Sequence, residues 1–403
     1  MTTTMEQRRG YRGAPFFSFG FRPFFLGGAL VAAVIPLLTA LSFSGLMMTG
    51  TAYGPAGYHG HEMVFGYLGA VVSGFILTAV PNWTGRLPVL GRRLMALFAL
   101  WAAGRLAILF SGTIGPAAAF AVDAPFLIVL SGVIWREVIA GKNRRNLPVC
   151  VLITTFAAAN VVWHLGWIGG GTGAIGWRLG IGVIAVLLAL IGGRITPSFT
   201  RNWLVKSGRT PPDIAIRTLD KAALAVIAVA MAAWVWAPLS TVSGVLLLAA
   251  SALHLVRLAR WQGWRTLAEP LVTVLHAGYL WLALSLALLG LSAIAPGILT
   301  SSTALHALTA GAAGVMTLAV MTRATLGHTG RELKADVPTL LIYALVNLGA
   351  LARLAAGFVP AHYAAALTAS AVLWGGAFVL FAAVYGRYLA APRLDSRPVS
   401  APS

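Results

Sequence analysis

Apolar stretches of about 20 residues, the length a helix needs to cross a bilayer, recur throughout this chain of 403 residues. Lipid offers the backbone no hydrogen bonds, so a spanning segment must be a helix or part of a closed barrel. The stretches are continuous rather than alternating, which selects helices. Only 10% of the residues are charged, where a soluble domain carries about 25%. The expectation is an all-α integral membrane bundle with about twelve transmembrane helices in a single domain. The spans fall near 23–47, 59–83, 93–112, 115–135, 147–168, 175–194, 221–238, 240–257, 268–291, 302–323, 337–357 and 363–386. Residues 1–22 then form an N-terminal segment, 23–389 the membrane domain and 390–403 a tail.

The connections alternate in charge. Arg8, Arg9, Arg12 and Arg22 precede the first span, and Arg86, Arg92 and Arg93 follow the second. Arg136, Lys142, Arg144 and Arg145 follow the fourth, and Arg201, Lys206, Arg209, Arg217 and Lys221 follow the sixth. Arg260 and Arg265, then Arg331 and Lys334, and finally Arg387, Arg393 and Arg397 continue the pattern. The intervening connections, such as SGLMMTGTAYGPAGY and GLSAIAPGILTSS, carry essentially no charge. This is the positive-inside pattern, and it puts both termini in the cytoplasm. The net charge of +19 is therefore a topology signal, with some attraction to anionic membrane lipid. No basic module stands apart from the spans, so a nucleic-acid partner is not expected. The basic, then aromatic start lacks a small-residue cleavage site, so the first span is expected to be retained. The one cysteine, Cys150, excludes an intrachain disulfide and a cysteine-cluster metal site.

Polar residues stand out against this background. His59, His61 and Glu62 open the second span in the stretch YHGHEMVFGYL. His164, His306 and His362 also lie toward the outer side, His276 near the middle of the ninth span, and His254 and His328 on the cytoplasmic side. Arg105, Arg178 and Arg353 reach the outer half of the bundle, and Asp123 lies at similar depth. A charge inside a membrane costs about 2.5–3.5 kcal/mol on insertion scales and marks a functional site by default. Imidazoles with arginines suit a haem, through iron ligation and arginine–carboxylate forks. Steps of four from Glu62 meet Gly66, Ala70 and Gly74, and from His306 they meet Ala310 and Gly314. Such small-residue faces admit either a flat cofactor or a packed helix. His164 and His362 read as packing histidines, and His254 and His328 as residues of loop ends. His59 and His61 point about 200° apart on a regular helix. Either His59 belongs to the preceding loop, or the two serve different partners.

YHGHEMVFGYLGAVVSGFILTAVPNWTGR resembles the signature second span of the NnrS family. So do FRPFFLGGAL, GGRITPSFTRNW, VLHAGYLWL and LHALTAGAAGVMTLAVMTRATLGHTGREL in their places. The resemblance covers nearly the whole chain. It implies a polytopic bacterial inner-membrane protein with haem and copper, tied to nitric oxide and nitrosative stress. The family's H-x-H-E-M falls on His59, His61, Glu62 and Met63, and its ninth-span histidine and tyrosine on His276 and Tyr279. Its tenth-span histidine falls on His306, and its R-x-x-x-G-H element on Arg323, Gly327 and His328. A weaker similarity is to subunit I of haem–copper oxidases, but this chain lacks their H-x-H on the tenth span and has no histidine on its sixth or seventh.

Within that frame, depth along the spans assigns the roles. His61 and His306, at similar depth, are the first candidate axial pair for haem b. His59 and His276 come next, for a second haem or copper, and His328 is a further metal candidate. Arg105, Arg178 and Arg353 would hold propionates. Glu62 and Tyr279 are candidate catalytic groups of a haem-dependent oxidoreductase acting on nitric oxide, Glu62 either as proton carrier or as the partner that orients a histidine. Electrons would come from quinol or a periplasmic donor. Two rival functions fit the same residues: a transporter or channel for a metal or metal–nitrosyl species, and a haem sensor without turnover.

Overall fold

The computed structural model describes residues 11–46, 50–215 and 217–394. The expected terminal residues 1–10 and 395–403 lie outside them. Among the described residues, twelve long helices make up the bundle: α1 Phe21–Phe43, α2 Gly54–Thr84, α3 Arg92–Leu109, α4 Pro116–Ala140, α5 Leu147–Ile168, α6 Ala174–Lys206, α7 Thr218–Trp236, α8 Thr241–Arg260, α9 Pro270–Ile294, α10 Ser301–His328, α11 Val337–Ala356 and α12 Tyr363–Ala390. Eleven are long and apolar enough to cross a membrane. The twelfth, α3, has 18 residues and carries Arg92, Arg93 and Arg105.

Helices adjacent in sequence pack against each other, α6 meets α7, and α12 returns to α1 and α11. The antiparallel course gathers all arginine-rich connections at one end of the bundle and all uncharged ones at the other. Helix starts are fixed locally: Ser240, Thr300 and Asp336 side chains accept the N–H of Ser243, Thr303 and Thr339, satisfying backbone donors that have no partner in the first turn. Gly85 ends α2 with φ 65°, a left-handed conformation that only glycine adopts without strain.

The exterior is apolar along the spans. Leu30, Leu106, Val151, Val245, Leu348 and Val372 are all more than half exposed. A soluble protein would not display so continuous an apolar surface, whereas a bilayer covers it. The interior is closed by large side chains, among them Phe24, Phe25, Phe65, Phe126, Phe156, Tyr279 and Phe381, each at most 1% exposed.

The expected small-residue faces turn out to serve close packing. A methyl group added at Gly74 would strike Phe25, one at Gly314 would strike Trp374, and one at Gly66 would strike Arg105 and Glu62. Ala310, on the His306 face, lines an open cavity instead.

Candidate functional site

Three helices widen where the candidate residues sit. Glu62–Leu68 in α2, Leu188–Gly192 in α6 and Ala307–Ala313 in α10 are π-helical. Such turns are rare and recur at functional sites. Two of them begin immediately after a histidine, His61 and His306. The extra width also breaks the step-of-four register used to read these faces from sequence.

At the uncharged end, α1, α2, α5, α6, α10, α11 and α12 line a partly open cavity of about 530 Å³, within the range of cofactor sites. His59 and His306 both line it, with ring centroids 6.3 Å apart. The structure thus pairs His306 with His59, not with His61 as depth along the spans suggests. The hydrogen bonds define both tautomers. The Thr39 hydroxyl donates to the Ile35 carbonyl at 2.8 Å. Its oxygen is then left to accept from His59 Nδ1 at 3.0 Å. His306 Nδ1 donates to the Ser302 carbonyl at 2.7 Å. Each ring therefore carries its proton on Nδ1 and keeps the Nε2 lone pair, which no hydrogen bond uses. A histidine prepared to bind a metal has this arrangement.

Three further groups on the same cavity want an acceptor. Arg353 Nη1, Trp167 Nε1 and the Tyr53 hydroxyl are buried and have no hydrogen-bond partner. Arg353 is 6% exposed, and its other terminal nitrogen donates to Ser302 Oγ at 3.2 Å. Tyr53 precedes α2. Burial, with the Asp123 charge adding to it, pushes its pKa up to about 12, so it stays a donor at neutral pH. Arg178 follows the cavity-lining Trp177 on α6, and its buried Nε is also unpartnered.

His61 faces away from this cavity. Both histidines are on the regular helical turn Gly54–His61, so of the two sequence readings the structure selects separate partners. His61 lies against Trp163, with centroids 4.3 Å apart, inside a fully buried polar network. Its Nδ1 meets Glu62 Oε1 at 3.1 Å and its Nε2 meets Asn160 Oδ1 at 3.1 Å and Asp123 Oδ2 at 3.2 Å. Arg105 bridges Glu62, at 2.6 Å, and Asp123. Arg105 is thus committed to two carboxylates and is not free to hold a propionate. Glu62, held by Arg105 and His61, has the geometry of an orienting partner. Asn160 Nδ2 donates to Asp123 Oδ2 at 2.8 Å, and His164 Nε2 meets the same oxygen at 3.0 Å. His164 is therefore part of this cluster rather than a packing residue. Asp123 on α4 and Asn160 and His164 on α5 carry no local motif that marks them.

The remaining candidates lie toward the arginine-rich end. His276 is seven residues into α9, nearer that end than the middle of the span. Its Nε2 donates to Thr200 Oγ1 at 2.7 Å, because the Thr200 hydroxyl proton goes to Thr196. It shares no cavity with His59. Tyr279 receives Arg257 Nη1 at 2.7 Å and meets His254 Nδ1 at 2.7 Å. His254, expected in a solvated loop end, is thus buried and bonded. His328 packs on Phe19 and Phe21 and lines a second cavity of about 440 Å³ with Arg194, Asn82 and Arg323. His362 is exposed.

Compared with known proteins, residues 15–393 match a family model described as NnrS protein. No curated protein matches the chain.

Proposed function

The chain belongs to the NnrS family, membrane proteins of the nitric-oxide response, and on that premise we propose that it is a haem b protein of the bacterial inner membrane that handles nitric oxide at the cavity between α2 and α10. The observation that carries the reading is the donor set of this cavity: two imidazoles with free Nε2 lone pairs, and three buried donors without an acceptor. The fit to haem is chemical. His59 and His306 face the same cavity with their ring centroids 6.3 Å apart and an unused Nε2 each, so one imidazole would ligate the iron and the other would stand near its open position. Arg353, Trp167 and Tyr53 supply the positive and donor groups that propionates require.

When bound, the haem supplies an iron centre that takes nitric oxide as a ligand. The residues do the rest. Thr39 and the Ser302 carbonyl hold the two imidazoles in one tautomer. Trp163, Trp167, Trp177 and Trp374 wall the cavity with apolar rings and limit water. Nitric oxide is small and uncharged, so it reaches the site through the bilayer or the uncharged end. Turnover as an oxidoreductase would draw electrons from quinol or a periplasmic carrier.

The test is the absorption spectrum of detergent-purified protein, oxidised and dithionite-reduced, with haem counted per chain. A Soret band at one haem per chain, shifted by nitric oxide and lost in His59→Ala or in His306→Ala, is the expected result. Retention of the band in both variants overturns the assignment. One observation favours a transporter instead: α1, α2, α6 and α10 line cavities at both ends of the bundle. A colourless protein from haem-replete cells would select that reading.

A further inference from the structure

With neutral histidines, the network around His61 is one positive charge short. Glu62 and Asp123 bring two negative charges, and Arg105 returns one positive. His61 and His164 are 0% exposed, Asp123 1% and Glu62 2%. An uncompensated charge at such depth is costly. The missing cation has a defined place. Glu62 Oε1 already accepts from Arg105, so it can only accept from His61 Nδ1–H as well. Asn160 Nδ2 donates to Asp123 Oδ2, which fixes the amide with its Oδ1 toward His61, and that oxygen can only accept. His61 Nε2 therefore confronts lone pairs alone: Asn160 Oδ1 and Asp123 Oδ2. Either a second proton or a metal ion must stand there.

We propose that His61, Asp123 and His164, completed by the Asn160 amide oxygen, bind one divalent transition-metal ion. His61 Nε2, Asp123 Oδ2 and His164 Nε2 all lie within 4.8 Å of one another. The contacts between donor atoms are 3.0–3.2 Å. Four ligands at about 2.0–2.1 Å around a tetrahedral ion stand roughly 3.3 Å apart, close to these three contacts, while the His61 and His164 nitrogens lie within 4.8 Å of each other. The Glu62 carboxylate on His61 Nδ1–H is the support that metal-bound imidazoles ordinarily have. Arg105 does the same for the far oxygen of Asp123. Two imidazoles with carboxylate and amide oxygens, and no thiolate, suit borderline divalent ions, copper(II) most strongly in the general affinity order. Trp163 packs on the His61 ring and keeps the site dry. The site is separate from the His59–His306 cavity and does not depend on the haem reading.

The test uses full-length purified protein, stripped with chelator, then loaded with copper(II) or with zinc(II), washed, and measured for metal and iron separately. One copper or zinc per chain is expected. His164→Ala should lose it while His306→Ala keeps it, which distinguishes this site from the haem ligands. In the copper-loaded wild type, electron paramagnetic resonance should show coupling to two imidazole nitrogens, a readout that needs no variant to fold. Retention of no more metal than a buffer blank overturns the proposal, as does metal retained equally in His164→Ala, or a copper spectrum without nitrogen coupling. In those cases the missing cation is a proton on His61.

Discussion

Replacing Arg105 by methionine removes the positive charge that holds Glu62 and Asp123 together while keeping most of the apolar stem. Both carboxylates are at most 2% exposed, so neither can turn to water. Breaking a buried ion pair by deleting one partner costs about 3–5 kcal/mol, and here one deletion strands two partners. The low end of that range already lowers the folded-to-unfolded ratio by about two orders of magnitude. Unfolding midpoints in a detergent-to-dodecyl-sulfate titration would measure it. The second half of the prediction is the rescue. Adding Asp123→Asn to Arg105→Met leaves Glu62 as the only carboxylate, still faced by His61 Nδ1, and should recover about half of the loss. The single variant within about 1 kcal/mol of wild type, the size of an exposed ion pair, would refute the buried-network account. Strictly additive losses in the double variant would refute the charge balance, because residues of one network must couple.

Two further outcomes follow from single substitutions elsewhere in the bundle. Arg353→Leu should weaken haem retention by about tenfold to a hundredfold, the worth of a charged hydrogen bond of about 1.5–3 kcal/mol, read as the rate of haem transfer to an apo-globin acceptor. Gly263→Ala should destabilise the fold by about 1–3 kcal/mol through overpacking, because its methyl would press on the His276 ring, and thermal unfolding would show it without any change in metal content.

Much of the bundle was legible in the chain. Span positions follow from apolar length, and the alternating arginines foretell that all basic connections gather at one end. The choice of His59, His306 and Arg353 as polar residues of the uncharged half was also legible, because lipid makes such residues stand out. Pairing them was not. Depth along a span gives one coordinate and leaves rotation free, so His61 and His306 looked like partners although they face different sites. The 200° divergence of His59 and His61 contained the answer but could not say which neighbour each would meet. Asp123, Asn160 and His164 were invisible as a set because α4 and α5 bring them together only through tertiary packing. Arg105 looked like a free cation for the same reason.

The π-helical segments make chain length itself a constrained quantity. Each α-helical residue turns the chain by about 100°. Each residue of a wider, i→i+5 helix turns the chain by less than that, so the stretch Glu62–Leu68 accommodates one extra residue while the helix on either side keeps nearly one rotation. The regular turns have no such room. Removing one residue from the ordinary helix between Leu68 and Ser73 would rotate His59 and His61 by about 100° against Ser73 and Thr78, and both histidines would leave their sites together. The same holds for His306 above Ala307–Ala313. A deletion inside these wide stretches would therefore act mainly through the side chains it removes, whereas one in the regular turns beside them would act through aim.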